Sequence, residues 1–242
     1  MKFAYLIEPP FNYRNKQCVL TGSDVELART VLSMIGIENV EFIETEFSNL
    51  LSGLEQHRWD MTTGLFDTPE RRKIAAFSRP IWALSDGLLV RKGNPEQLSG
   101  YASIAVNSEY KLTAIHDQVQ HKAALAAGIP EDRIVLNATY DEAANAVLEG
   151  RVDAYASVAI AHQGYLKQNL NTNLDVIPVP LEERAAAFGA FGFRQSDSEL
   201  KDAVDAALTQ CLGSDEHRTM MRNHGFTDAD IDMIAPHRTT LT

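Results

Sequence analysis

Short apolar runs and amphipathic helical segments take turns along the first half of the chain, and few folds accept that pattern. Phe3–Ile7 is an apolar run stopped by Pro9-Pro10, and a polar loop, Asn12–Gln17, follows. Ser23–Ile35 has helical spacing, with Val25, Ala28, Val31, Leu32 and Ile35 on one face. Ser23-x-x-Glu26 at its start reads as a capping box, in which hydroxyl and carboxylate satisfy amides of the first turn. Gly36 ends the helix. Val40–Thr45 reads as a strand, Leu50, Leu51 and Leu54 mark a short helix, and Asp60–Leu65 is the next strand. This βαβ rhythm predicts an α/β protein with a mostly parallel sheet and helices on both faces.

The unit recurs later. Thr139-x-x-Glu142 is a second capping box, Gly150 closes its helix, and Val152–Ser157 reads as a strand. Leu54-Glu55-Gln56-His57-Arg58-Trp59-Asp60 and Leu148-Glu149-Gly150-Arg151-Val152-Asp153 share one pattern. Each runs from a helix end through a basic and an apolar residue to an aspartate that opens a strand, as two lobes of common architecture would. Gly87–Val90 is an apolar strand followed by the breaker Arg91-Lys92-Gly93-Asn94-Pro95. A second breaker lies at Pro178–Pro180, and Phe188–Phe193 reads as a further strand. Ser196-x-x-Glu199 is expected to cap a helix with Leu200, Val204, Leu208 and Cys211 on its apolar side. Cys211 is then a core residue. The tail from Thr227 is acidic, then polar, and is expected to pack only in part.

Composition removes several function classes. The chain has 242 residues, a formal charge of −11, 45% apolar and 23% charged residues, the proportions of one or two globular domains. The acidic balance argues against binding a phosphate backbone, so no nucleic-acid partner is expected. No apolar run reaches the ~18 residues that a membrane span needs. Cys18 and Cys211 lie far apart with no metal or redox spacing, and a disulfide between them stays open. The histidines show no metal-site spacing, and neither a Walker A run nor a G-x-G-x-x-G is present, so no metal and no cofactor are expected. Strand-like residues follow Lys2 at once, which fits either a cytosolic chain or one whose leader has been removed.

Residues 64–82 are the most specific stretch. Gly64-Leu65-Phe66-Asp67-Thr68-Pro69-Glu70-Arg71-Arg72 precedes Phe77-Ser78-Arg79-Pro80-Ile81-Trp82. This resembles the family 3 extracytoplasmic solute-binding proteins, the amino-acid receptors of ABC importers, whose pattern is a strand, then T-x-x-R, then F-S-x-P-aromatic. Pro9-Pro10-Phe11, Thr21-Gly22-Ser23-Asp24-Val25, Arg151-Val152-Asp153-Ala154 and Leu200–Leu212 stand where that family places its other signatures. Within it, the ectoine- and hydroxyectoine-binding branch resembles this chain at Glu8-Pro9-Pro10-Phe11, at Phe66, at Ser85–Pro95 and at Ala124–Arg133. The resemblance implies the type II periplasmic-binding-protein-like fold, with two lobes, two hinge strands and a ligand cleft between lobes. Lobe one is expected at 1–87 and 185–242, and lobe two at 88–184.

The same resemblance supplies candidate ligand-binding residues. Arg71 offers a guanidinium fork for a carboxylate, although a surface arginine beside Arg72 and Lys73 reads the same way. Phe11, Phe47 and Phe66 follow or open loops at the carboxyl edge of lobe one, where aromatic faces would attract a delocalised or alkylated cation. Core packing is their alternative. Glu8 would pair with a ligand nitrogen, and Trp82 would wall the cleft. In lobe two, His116, Asp117, Gln118 and Val119 replace the family's Gly-rich turn, and Gln118 and Val119 sit at a helix start that still offers amides. Ala156-Ser157-Val158 lacks the aspartate that many amino-acid receptors use for an α-ammonium; Ser157 is kept as a candidate. Asp153 more simply fixes the opening of its strand. The implied function is a non-enzymatic, monomeric receptor that captures a small carboxylate-bearing zwitterion and presents it to the membrane subunits of an importer. It would work in the periplasm or an equivalent extracytoplasmic space once a leader is removed. The alternatives are a ligand-sensing domain and a cyclohexadienyl dehydratase-like enzyme on the same scaffold.

Overall fold

The computed structural model describes residues 1–235. The chain forms two compact units. The first comprises Met1–Thr45, Asn49–Ala83 and the chain from Phe188 onward; the second comprises Glu46–Ser48 and Leu84–Ala187.

The sheet of the first unit runs in the order Glu41–Glu44, Lys2–Tyr5, Met61–Phe66, Ala187–Phe193, Ala76–Phe77, with Trp82–Leu84 also paired to Ala187–Phe193. The first three strands are parallel, with Phe3 opposite Phe42 on one side and Met61 on the other. Ala187–Phe193 runs antiparallel to Met61–Phe66. The sheet of the second unit repeats this plan. Ile134–Asn137, Leu112–Ile115 and Ala154–Val158 are parallel, and Asp86–Arg91 and Leu174–Pro178 add antiparallel strands. Each sheet is therefore mixed rather than mostly parallel. Leu88, Val90, Ile104, Leu112 and Ala154 pack into a core of the second unit.

Helix ends show what the pattern caught and what it did not. The helix Ser23–Met34 buries Val25, Ala28, Val31 and Leu32 as its spacing required. It closes at Gly36, at φ +80°, whose N–H reaches Ser33 O at 2.9 Å while the Ile37 N–H reaches Leu32 O at 2.9 Å. Ser23 does not cap this helix; Gly22 holds the cap position. Glu26 accepts the N–H of Gly22, and not that of Ser23 as the expected box would have it. The hydroxyl half is not needed. The Ser23 and Asp24 N–H groups donate to Pro10 O and Phe11 O at 3.0 and 3.1 Å, so loop carbonyls satisfy the free amides. Gly22 has φ +126°, and a Cβ there would lie 2.1 Å from Phe11 O, so the loop and the glycine require each other. The expected Ser196 cap also fails. The helix is Ser198–Cys211 with Asp197 at its cap position, and Arg194 holds the Asp197 carboxylate at 2.7 Å. Thr139 and Glu142 do form their capping box at the start of Tyr140–Leu148.

The short internal match has a structural counterpart. Asp60 accepts the Lys2 N–H at 2.8 Å and returns its own N–H to Lys2 O at 3.0 Å. Asp153 treats Lys111 likewise, at 2.8 and 2.9 Å. Each aspartate also pairs with an arginine, Arg194 in the first unit and Arg91 in the second. Both cysteines are free: Cys18 is exposed, and Cys211 is half-buried rather than core, with burial pushing its thiol up. No helix among the described residues is long and apolar enough to cross a membrane.

Candidate functional site

Parallel pairing brings the carboxyl ends of Lys2–Tyr5 and Met61–Phe66 to one edge of the first sheet, the edge at which open α/β sheets carry their sites. The first strand leads into a tight, buried loop. Glu8 and Asn12 exchange backbone hydrogen bonds at 2.9 and 3.1 Å, and the Phe11 N–H donates to Glu8 O at 3.0 Å. Glu8, Phe11 and Asn12 are all buried.

Phe66 ends the second strand. Its carbonyl accepts a hydrogen bond from Arg71 Nη1 at 3.0 Å, and Thr68 Oγ1 accepts the Arg71 N–H at 3.3 Å. These contacts separate Arg71 from its basic neighbours. Arg71 is 8% exposed, whereas Arg72 and Lys73 are exposed and Arg72 pairs with Asp67. A surface-arginine reading therefore fits Arg72 and Lys73 but not Arg71.

Trp82 joins the aromatic residues. Its ring lies 5.6 Å from that of Phe11, tilted by 39°, and 5.3 Å from that of Phe66, edge-on at 89°. Phe11 also meets Phe226 at 6.3 Å. Offset and edge-on contacts of this kind are the favourable ones for aromatic pairs. The indole sits on two glycines: a Cβ at Gly64 or Gly189 would approach its ring to 2.7 or 1.9 Å. Its Nε1–H donates to Asp24 Oδ1 at 3.1 Å. Asp24 Oδ2 accepts from Thr63 Oγ1 at 2.7 Å and from the Gly64 N–H at 2.8 Å. Burial pushes the Asp24 carboxyl up, and these hydrogen bonds pull it back down.

Glu8, Phe11, Phe66, Arg71 and Trp82 thus share the first unit. Phe47 is half-buried in Glu46–Ser48, a segment that clusters with the second unit. The other candidates belong to the second unit as well. His116 and Asp117 are exposed, Gln118 is buried at the cap of the helix Val119–Ala126, and Val119 is its first residue. Asp117 has φ +64°, so the turn keeps a left-handed residue although its glycines are gone. Ser157 is buried on Ala154–Val158, opposite Gly87.

Two buried carboxylates escaped the sequence reading. Asp24 is the first. Asp86 is the second, and accepts from Gln120 Nε2 at 2.8 Å, from Tyr101 OH at 2.7 Å and from Arg184 Nε at 2.6 Å. Gln120 thereby fixes the helix that begins at Val119. Burial, with Asp86 next to it, pushes the Tyr101 hydroxyl well above its ordinary range. The one available signal was an aspartate beside apolar neighbours in each segment, too common to single out. Among the described residues, no group of three or more His, Cys, Asp or Glu side chains is placed to hold a metal ion.

Residues 2–226 match the bacterial extracellular solute-binding proteins, family 3. The chain belongs to this family. This family 3 solute-binding protein is 32% identical over 239 residues to the "Probable amino-acid ABC transporter periplasmic-binding protein" of Sinorhizobium fredii, covering 96% of this chain and 79% of the relative. It is 27% identical over 203 residues to the L-cystine-binding protein TcyA of Bacillus subtilis, covering 83% of this chain and 71% of the relative. The crystal structure of EhuB in complex with hydroxyectoine aligns with a TM-score of 0.86 at 28% identity, covering 96% of this chain and 90% of that one. The fold is that of the type II periplasmic binding proteins. The Sinorhizobium fredii relative is named as a binding protein of an ABC transporter and the Bacillus subtilis relative as a binding protein, and this chain is a solute-binding protein of their family, not an enzyme.

Proposed function

We propose that this receptor serves an ABC importer by capturing a small zwitterion, cyclic or alkylated at nitrogen, in the manner of ectoines and betaines. One observation carries the reading: a buried arginine, Arg71, is bonded to the carbonyl of Phe66, whose ring belongs to the Phe11–Trp82–Phe66 set. A guanidinium fork recognises both oxygens of a carboxylate. Aromatic faces attract a cation whose charge is spread or alkylated, at about 0.5–2 kcal/mol per contact. Glu8, on the loop that carries Phe11, supplies a carboxylate for a ligand N–H. The stretch Ala156-Ser157-Val158 of the second unit lacks the aspartate that an α-ammonium would need. A ligand with a masked nitrogen does not need that partner. The hydroxyectoine bound to EhuB is of this class.

A thermal-shift panel on protein stripped of ligand by refolding tests the reading. The panel holds ectoine, hydroxyectoine, glycine betaine, proline betaine and the standard amino acids. A ligand at ~100 times its Kd adds about 2.7 kcal/mol of stability, visible as a rise in Tm. Ectoines or betaines should give the largest rise. Shifts confined to ordinary amino acids would overturn the ligand class and leave the receptor role standing.

A further inference from the structure

We propose that Asp24 is the positioning residue of the aromatic set, holding Trp82 in the orientation against which Phe11 and Phe66 pack and thereby setting the affinity for a cationic ligand. The effect on affinity rests on the ligand reading above; the anchoring of Trp82 does not. Asp24 touches all three segments that carry these rings. Its backbone N–H donates to Phe11 O at 3.1 Å. Its Oδ1 takes the Trp82 indole N–H, and its Oδ2 takes the Thr63 hydroxyl and the Gly64 N–H, on the strand that ends at Phe66. Thr63 Oγ1 in turn accepts from Asn12 Nδ2 at 2.8 Å, which ties the carboxylate back to the Phe11 loop.

The chemistry calls for a carboxylate at this position. Four donors converge on two oxygens, the Ser23 hydroxyl reaching Oδ1 at 3.4 Å beside the Trp82 indole, and an amide in the same place offers a single acceptor oxygen and turns a donor toward the others. Ionised acceptors also make the stronger hydrogen bonds. The indole lies against Gly64 and Gly189 with no space for a Cβ between, so its N–H is the handle by which the ring is turned. Asp24 is 1% exposed and sits in the first turn of Ser23–Met34, where the helix dipole favours negative charge. A rigidly held ring gives a better-oriented cation face than a mobile one.

The experiment is a double-mutant cycle on the full chain with D24N, W82F and D24N/W82F, using hydroxyectoine as the probe. Two readouts are taken: affinity by calorimetry, and the ¹H–¹⁵N indole resonance of Trp82, assigned by its loss in W82F. D24N should move and broaden that resonance while leaving the Trp59 indole, bonded to Leu50 O, in place. W82F and D24N should each weaken binding about tenfold, within the range of one cation–aromatic contact. The double variant should lose no more than W82F alone, because the two residues act as a unit. An unchanged Trp82 resonance in D24N, or losses that multiply in the double variant, overturns the proposal. If the unsubstituted protein does not bind hydroxyectoine, the effect on affinity is overturned for ectoines, the betaines of the thermal-shift panel decide the rest of the ligand reading, and the indole resonance decides the anchoring. If circular dichroism shows that D24N does not fold, T63V replaces it in the cycle, removing one of the donors that pin the same carboxylate.

Discussion

Arg71 and Asp24 show how far single residues can be read from a sequence. Arg71 stands in a run of three basic residues, and spacing alone does not say which of them is buried. Its place in the T-x-x-R resemblance singled it out, and the structure buries it against Phe66 O. Arg71→Ala should reduce affinity for a carboxylate ligand by 30-fold or more, since loss of one partner of a buried charged pair costs about 2–5 kcal/mol. Calorimetry measures it, with an unchanged far-ultraviolet spectrum as the check on folding; undiminished affinity would remove the carboxylate role. Asp24 was quoted as part of a motif, yet its partners were invisible. Thr63, Gly64 and Trp82 lie 39 to 58 residues away, and no local pattern encodes a hydrogen bond across that separation.

Elements were more legible than their ends. Strands and helices followed from apolar period and breakers, whereas two of the three expected serine or threonine caps were displaced. The reason at the first is tertiary, since carbonyls of the Phe11 loop satisfy that helix start; at the other, Asp197, paired with Arg194, takes the cap position. The mixed sheets have a similar origin. The antiparallel strand Ala187–Phe193 pairs with residues more than a hundred positions earlier, beyond the reach of a βαβ pattern. The aspartate that opens a strand was legible as a recurring local pattern, although its partners are as remote in sequence as those of Asp24. Asp60 and Asp153 each exchange backbone and side-chain bonds with the lysine at the start of a neighbouring strand. Asp153→Ala should lower stability by about 1–2 kcal/mol, the worth of its charged hydrogen bonds in a partly exposed setting, and Asp60→Ala by a similar amount. Urea midpoints measure both; a neutral result at either position would break the equivalence of the two units.

At the scale of the whole molecule, acid should unfold the chain earlier than its carboxylates alone would require. His162 is buried in the second unit, with Nε2 3.2 Å from Gly87 O and Nδ1 2.5 Å from Tyr140 OH, and burial lowers its pKa to about 3. His217, in the first unit, is lowered to about 4 by burial and by Arg218. In the unfolded chain both return to about 6.5. Below that value the unfolded state takes up protons that the folded state refuses, so stability falls as pH drops from about 6.5 toward 3–4. Each group contributes at most about 1.4 kcal/mol per pH unit. Asp24 has the opposite sign, because burial raises its pKa in the fold and the stability it adds in acid is lost as pH rises. Urea midpoints between pH 7 and pH 4 should fall, and His162→Gln should flatten part of the slope. An equal slope in that variant would assign the loss to other groups.

The threading of the chain also sets an order of events during synthesis. Apart from Glu46–Ser48, the second unit is one uninterrupted stretch, Leu84–Ala187, and every strand of its sheet has been translated once Leu174–Pro178 is made. The first unit must wait. Its strand between Met61–Phe66 and Ala76–Phe77 is Ala187–Phe193, so the middle of its sheet stays open until the second unit is fully translated. Until then the carboxyl edge that carries Phe11, Phe66 and Arg71 belongs to an unfinished sheet.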